Sequence, residues 1–198
     1  MENKIYALMG AHGSGKATMA NQLLDMGIHF IPVYTTHDFS SQKRTRYYIS
    51  REQLFKTVTV KEFSQMDFVV EFLHQGESYG YRKDDILNAL HDHTISVIIL
   101  ESTGLKPLSR LIKKKLETIF LMVDYVTLVD RLLRIGCTND EIKFYLEYAE
   151  NNKEFDLWKI CNHVIRNTCE KEAAFIQLLS IMGLTTLIPQ EDFNQLTK

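Results

Sequence analysis

The chain has 198 residues, 45% of them hydrophobic and 24% charged, the proportions of a soluble globular protein with room for one α/β domain and inserts. A formal charge of −2 excludes a strong general attraction to nucleic acid or to anionic membrane surfaces. No run approaches the ~18 apolar residues of a membrane span, and Met1-Glu2-Asn3-Lys4 lacks the layout of a signal peptide. Cys137, Cys161 and Cys169 are odd in number and lack metal-ligand spacing. They read as reduced thiols of a cytoplasmic protein. His91 and His93 have no Cys or carboxylate frame around them, so no metal centre built from protein ligands is expected.

In chain order, Ile5 to Met9 reads as a short buried strand that runs into a glycine-rich loop. A helix follows from Ala17 to Met26, and Gly27 stops it. Phe30 to Thr36 is an extended run leaving the core, and residues 37–46 (HDFSSQKRTR) are polar and read as a loop. Tyr47 to Ile49 forms a short strand, Ser50 caps a helix through Phe55, and a second short helix spans Val60 to Gln65. Phe68 to Leu73 and Ser78 to Tyr81 are two strands turning at Gln75-Gly76. Lys83 to His91 is a helix with Ile86, Leu87 and Leu90 on one side.

Thr94 to Leu100 (TISVIIL) is apolar almost throughout, as a strand buried on both faces of a parallel sheet requires. Ser109 to Leu116 reads as a helix with a basic outer face, and Thr118 to Val123 as the next central strand. Helices follow over residues 127–134 and 141–151, with a turn from Gly136 to Asp140 between them. A strand over Cys161 to Arg166, a helix over Glu170 to Met182 and a last strand over Thr185 to Ile188 complete the reading. Strands alternating with helices imply right-handed crossovers and a parallel sheet. The stretch from Val33 to His91 is long for one crossover and is expected to be an insert with its own small sheet.

The densest signal is Gly10 to Thr18 (GAHGSGKAT). Gly10, four residues, then Gly15-Lys16 is the spacing of a phosphate-binding loop, placed between a strand and a helix. Backbone N–H groups must curl around a phosphate chain, so bulky side chains are excluded at Gly10, Gly13 and Gly15. The following helix aims its positive dipole end at the same anion, and Lys16 adds a mobile cation. Ala17 lacks the hydroxyl that would serve Mg²⁺ and Thr18 comes next, a pattern that points to small-molecule kinases over GTPases and motor ATPases.

These features, in this order, resemble the guanylate kinases and their relatives among P-loop nucleoside monophosphate kinases. The resemblance rests on the loop, VYTT at 33–36, RYYISREQLF at 46–55, VVEF at 69–72, SYGY at 78–81, RLLRIG at 131–136 and EIKFYLEYAE at 141–150. It implies a P-loop three-layer α/β/α core with a parallel sheet, an inserted lobe that binds a nucleoside monophosphate, and a helical lid. The core would comprise 1–32, 92–134 and 152–198, the insert 33–91 and the lid 135–151. It further implies ATP and Mg²⁺ as cofactors, a small nucleotide such as GMP as acceptor, and no nucleic-acid or membrane partner.

Residue by residue, the resemblance gives Lys16 and Arg131 catalytic roles. It gives Gly10, Ala11, His12, Gly13, Ser14, Gly15, Lys16, Ala17 and Thr18 to the ATP phosphates. Glu71 matches the carboxylate that reads guanine, Tyr79 matches a phosphate-binding tyrosine, and Glu101 falls near an acidic pair able to hold a Mg²⁺-bound water. Thr36, His37, Arg44, Arg46 and Tyr81 complete the acceptor set, with Lys43, Arg44 and Arg46 either reaching the acceptor phosphate or forming a solvated basic turn. Glu71 also fits a strand-edge carboxylate, Tyr79 and Tyr81 fit core-edge aromatics, and Arg131 fits a surface pair with Asp130 or Glu147.

Other family positions depart from the pattern. Cations expected at 37, 40, 135 and 145 are His37, Ser40, Ile135 and Tyr145, and the first acid of the strand pair is Ile99. One arginine at such a site can be worth ~10³-fold in rate. Two functions therefore follow: a guanylate-kinase-like phosphotransferase, or a nucleotide- or protein-binding domain of the same shape with little or no turnover.

Overall fold

A computed structural model describes residues 2–38, 54–74, 76–168 and 171–185. Strand β1 (Lys4–Met9) lies at the centre of a five-stranded parallel sheet of order β2-β7-β1-β8-β9. It pairs with β7 (Ile95–Ile99) and β8 (Leu116–Met122), while β2 (His29–Phe30) pairs with β7 and β9 (His163–Arg166) with β8. Side chains alternate along β1, so both of its faces are apolar. Tyr6 and Leu8 pack with Met19, Ala20 and Leu23 of helix α1 (Lys16–Asp25) and with Ala174 and Leu178 of the C-terminal helix (Lys171–Ile181). Ile5, Ala7 and Met9 pack the other way, among residues of α3 (Lys83–Asp92) and α4 (Ser102–Ile112). The result is a three-layer α/β/α arrangement.

A second sheet, of order β4-β3-β6-β5, is built from β3 (Val33–Thr35), β4 (Phe55–Thr57), β5 (Phe68–His74) and β6 (Glu77–Arg82). A short helix α2 (Val60–Phe63), closed by a Thr59–Glu62 capping box, sits between β4 and β5. Val33, Val70, Tyr79 and Tyr81 turn one face of this sheet into the core shared with α3 and α4. After β8 come α5 (Tyr125–Arg134) and α6 (Asn139–Asn151), then a 3-10 turn over Glu154–Lys159. Ile142, Leu146 and Ala149 of α6 are buried against Leu128 and Leu132 of α5 and against Ala11 of the loop. Among the described residues no helix is long and apolar enough to cross a membrane.

Several boundaries differ from the sequence reading. The run from Phe30 to Thr36 is split, with β2 in the large sheet and β3 in the small one. Phe55 opens β4 rather than closing a helix. Leu87 is exposed, and Ala89 completes the buried side of α3 with Ile86 and Leu90. The fourth helix begins at Ser102, well before Ser109, and Leu116 belongs to β8. Gly104 and Pro107 mask that helix in the sequence. The glycine is there because a Cβ would stand 2.5 Å from Leu100 Cδ1 and 2.8 Å from Val70 Cγ1. β9 starts at His163 because the Asn162 side chain instead accepts from the Thr118 N–H and hydroxyl. The expected strand over 47–49, the start of the helix at Ser50 and the expected strand over 186–188 lie outside the described residues.

Candidate phosphate-binding site

The chain leaves β1 toward β7 on one side and later returns to β8 on the other, so the end of β1 is the topological switch point of the sheet. Ligands of open α/β sheets bind in the crevice at such a point. Residues 10–15 occupy it. Gly10, Gly13 and Gly15 have φ of +138°, +87° and +103°, values that side-chain-bearing residues rarely adopt. Space is equally restrictive: a Cβ on Gly10 would stand 2.9 Å from the Leu121 carbonyl oxygen, and one on Gly15 would stand 2.6 Å from Asn167 Nδ2.

Helix α1 starts directly from Gly15 with no side-chain cap, which leaves first-turn N–H groups for an outside acceptor. The Ser14 hydroxyl is buried and has no partner in the described structure. Orphaned donors, a positive helix end and a glycine cradle are what an anionic phosphate chain satisfies. The Lys16 ammonium folds back on the loop, donating to the carbonyls of Gly10 and of Ala11 (3.0 Å). Burial pulls its pKa down, and the carboxylates of Glu154 and Glu101 oppose that shift. Ala17 and Thr18 are exposed on the first turn of α1.

Arg131 reaches the loop from α5. Its guanidinium donates to the carbonyls of Ser14 (3.3 Å) and Asn167 (2.7 Å), and Asn167 Nδ2 also donates to the Ser14 carbonyl (2.8 Å). The contacts differ from the surface pair with Asp130 or Glu147 that the sequence allowed: Asp130 instead meets Arg134 (2.8 Å). The His12 ring stacks on Tyr145 of α6, with centroids 4.0 Å apart and planes within 9°. Ile135 is the C-cap residue of α5 and packs against the cluster that joins α5, α6 and the loop.

Glu101, two residues beyond β7, is the N-cap residue of α4 and accepts a hydrogen bond from the Tyr148 hydroxyl at 3.2 Å. Glu154 joins it from the 3-10 turn. Burial pushes the Glu154 carboxyl up to about 7, against the pull of Lys16 and with the push of Glu101. Lys16, Glu101, Tyr148 and Glu154 thus form one electrostatic group around the loop. Two carboxylates beside a phosphate cradle match the way Mg²⁺ is held, through one or two carboxylates plus phosphate oxygens and waters. Sequence reading missed Tyr148, Glu154 and Asn167. Tyr148 follows Tyr145 by three residues and so shares its helix face, a signal that was available. Glu154 and Asn167 carry no motif.

The expected acceptor residues are less closely gathered. Glu71 lies opposite Gly80 in the β5–β6 register, and Tyr79 lies opposite Phe72. Paired residues share a face and neighbours alternate, so Glu71 and Tyr79 are on opposite faces of the small sheet. Tyr79 is nearly buried, with its ring stacked on Phe72 at 5.4 Å. Tyr81, the other tyrosine of the expected acceptor set, points into the core. It is buried, its hydroxyl donates to the Ile99 carbonyl, and burial raises its pKa far above the ordinary value. Thr36 donates to Glu77 (2.5 Å) and accepts from the Ser78 N–H (3.0 Å). The His37 N–H donates to Thr35 Oγ1 (3.0 Å). Ser40, Lys43, Arg44 and Arg46 lie outside the described residues.

Among solved structures, the chain superposes on guanylate kinase from Anaplasma phagocytophilum with a TM-score of 0.58 and 17% identity, covering 93% of this chain and 88% of that one. The chain shares the α/β fold of that structure. Shikimate kinase from Bacteroides thetaiotaomicron also matches, at a TM-score of 0.48 and 17% identity over 91% of this chain and 99% of that one. No protein-family model matches the sequence, and no curated protein matches it. At this identity, what the P-loop kinase likeness carries is the fold.

Proposed function

We propose that the protein is an ATP-dependent phosphotransferase of guanylate-kinase type, moving the γ-phosphoryl group to GMP or a related small phosphorylated acceptor. The observation that carries this reading is the loop at the end of β1, with Lys16 set between the cradle and the carboxylates of Glu101 and Glu154. Phosphoryl transfer asks a protein mainly for alignment and charge stabilisation. Backbone N–H groups of residues 13–18 hold the phosphate chain. Lys16 leaves the Gly10 and Ala11 carbonyls to meet the outer phosphates, where negative charge spreads during transfer. Arg131 and Asn167 fix the Ser14 carbonyl and so the shape of the cradle. Mg²⁺, when bound, offsets phosphate charge.

Coupled detection of ADP with ATP, Mg²⁺ and a panel of monophosphates tests the proposal. Turnover with GMP that Lys16→Ala lowers by orders of magnitude is the expected result; no turnover above background with any acceptor ends it. A second reading, nucleotide binding without efficient transfer, is favoured by one observation. The Arg131 guanidinium is engaged by two backbone carbonyls, while Ile135 and Tyr145 provide no cation. Calorimetry that shows ATP binding beside absent turnover selects it.

A further inference from the structure

Glu154 belongs to no motif, yet it is only 6% exposed, and its carboxyl meets no hydrogen-bond donor among the described residues. The charges acting on it are those of Lys16 and Glu101. Tyr148, which donates to Glu101, also senses it. Phe155 packs against the cluster that contains Ala11, and Leu157 is buried in the cluster of Met9 and Leu100, so the turn that carries Glu154 lies beside the loop and the end of β7. Two carboxyls in a poorly solvated place either hold a proton or are matched by a cation, and without nucleotide Lys16 is the cation that acts on both. Once Lys16 is drawn to a triphosphate, both carboxylates and the phosphates are left short of positive charge.

Two other positions sharpen the point. The first-turn residue that would carry a metal-directed hydroxyl is Ala17, and the first residue of the expected acidic pair is Ile99, whose carbonyl is taken by Tyr81. We propose that Glu154, together with Glu101, forms the carboxylate pair that receives the divalent cation accompanying the nucleotide. The proposal rests on reading the loop as a triphosphate site. No group of three or more potential protein ligands occurs among the described residues, so the cation binds only together with phosphate oxygens. That matches the habit of Mg²⁺, which completes its octahedron with substrate phosphate and water.

Mn²⁺ is the probe. Electron paramagnetic resonance counts free Mn²⁺ with protein alone, with ATP, and with both, while calorimetry follows ATP binding with and without metal. The expected result is protein-dependent Mn²⁺ uptake only when ATP is present. Glu154→Gln should lower that Mn²⁺ affinity at least ~10-fold, a loss typical of disturbed metal surroundings, and should not weaken metal-free ATP binding. Glu101→Gln should behave alike, and thermal melting verifies that both variants fold. ATP binding by the parent protein with Mn²⁺ affinity unchanged in Glu154→Gln overturns the assignment alone. Equal weakening of ATP with and without metal marks Glu154 as structural and overturns it too. Absence of ATP binding by the parent protein overturns the triphosphate reading and this proposal with it.

Discussion

Tyr148 donates its hydroxyl to Glu101 across 3.2 Å and so ties α6 to the end of β7 beside the phosphate loop. The bond joins an element packed on the loop to the connection between β7 and α4. Burial, Glu101 and Glu154 all raise the pKa of the phenol, which keeps it a donor at any physiological pH. Tyr148→Phe retains the ring and removes this donor. A loss of about 0.5–1.5 kcal/mol is expected, the usual net worth of one hydrogen bond. Urea denaturation of both proteins measures it; an unchanged midpoint refutes the coupling.

Gly15 combines a φ of +103° with a Cβ position 2.6 Å from Asn167 Nδ2. Gly15→Ala must strain the backbone, at about 1–3 kcal/mol, and must push away the amide that holds the Ser14 carbonyl. Stability and ATP affinity should fall together. Asn167→Ala, which clears the space but drops the bond to Ser14, should relieve part of the Gly15→Ala defect in the double variant. Thermal melting and calorimetry on the two single variants and the double check this; strict additivity argues against the contact.

The His12–Tyr145 stack fastens α6 to the loop. A double-mutant cycle with His12→Ala and Tyr145→Ala should give a coupling of about 0.5–1.5 kcal/mol, the range for aromatic pairs. A coupling near zero in denaturation experiments means the rings touch without holding.

How much of this could be read from the chain depends on how local each cause is. The loop, β1 and α1 were legible because a glycine spacing, an apolar run and a helical period lie within about twenty consecutive residues. The start of α4 was not, since Gly104 looks like a breaker until Val70 and Leu100 are seen crowding it. That the Tyr81 hydroxyl donates to the Ile99 carbonyl was not legible either, because that acceptor comes from a strand of the other sheet. Glu71 and Tyr79 are close in sequence, but the pleat and the hairpin register, which spacing alone does not fix, send them to opposite faces. Glu154 reaches the site only because a 3-10 turn folds it back after α6, and no periodicity announces such a turn.

The edge of the central sheet carries a pH-dependent element. His29 stacks on His93 with centroids 3.8 Å apart, and its Nδ1 lies 2.9 Å from the Ser96 hydroxyl. Burial first, and then the neighbouring His93, lower its pKa, while Asp92 and Asp85 work the other way. A histidine whose folded pKa lies below its unfolded value of 6.5 binds protons more readily once unfolded. Its contribution to stability is therefore complete above 6.5 and is lost as pH falls from 6.5 through the lowered folded value. Asp92, held low by His91, loses its own contribution only below the ordinary carboxylate range, so the two effects separate on the pH axis. His29→Phe keeps a ring against His93 and cannot titrate. Its stability, followed by denaturation between pH 7 and pH 5, should decline less steeply than that of the parent protein; parallel curves would show that the stacked pair carries no pH dependence.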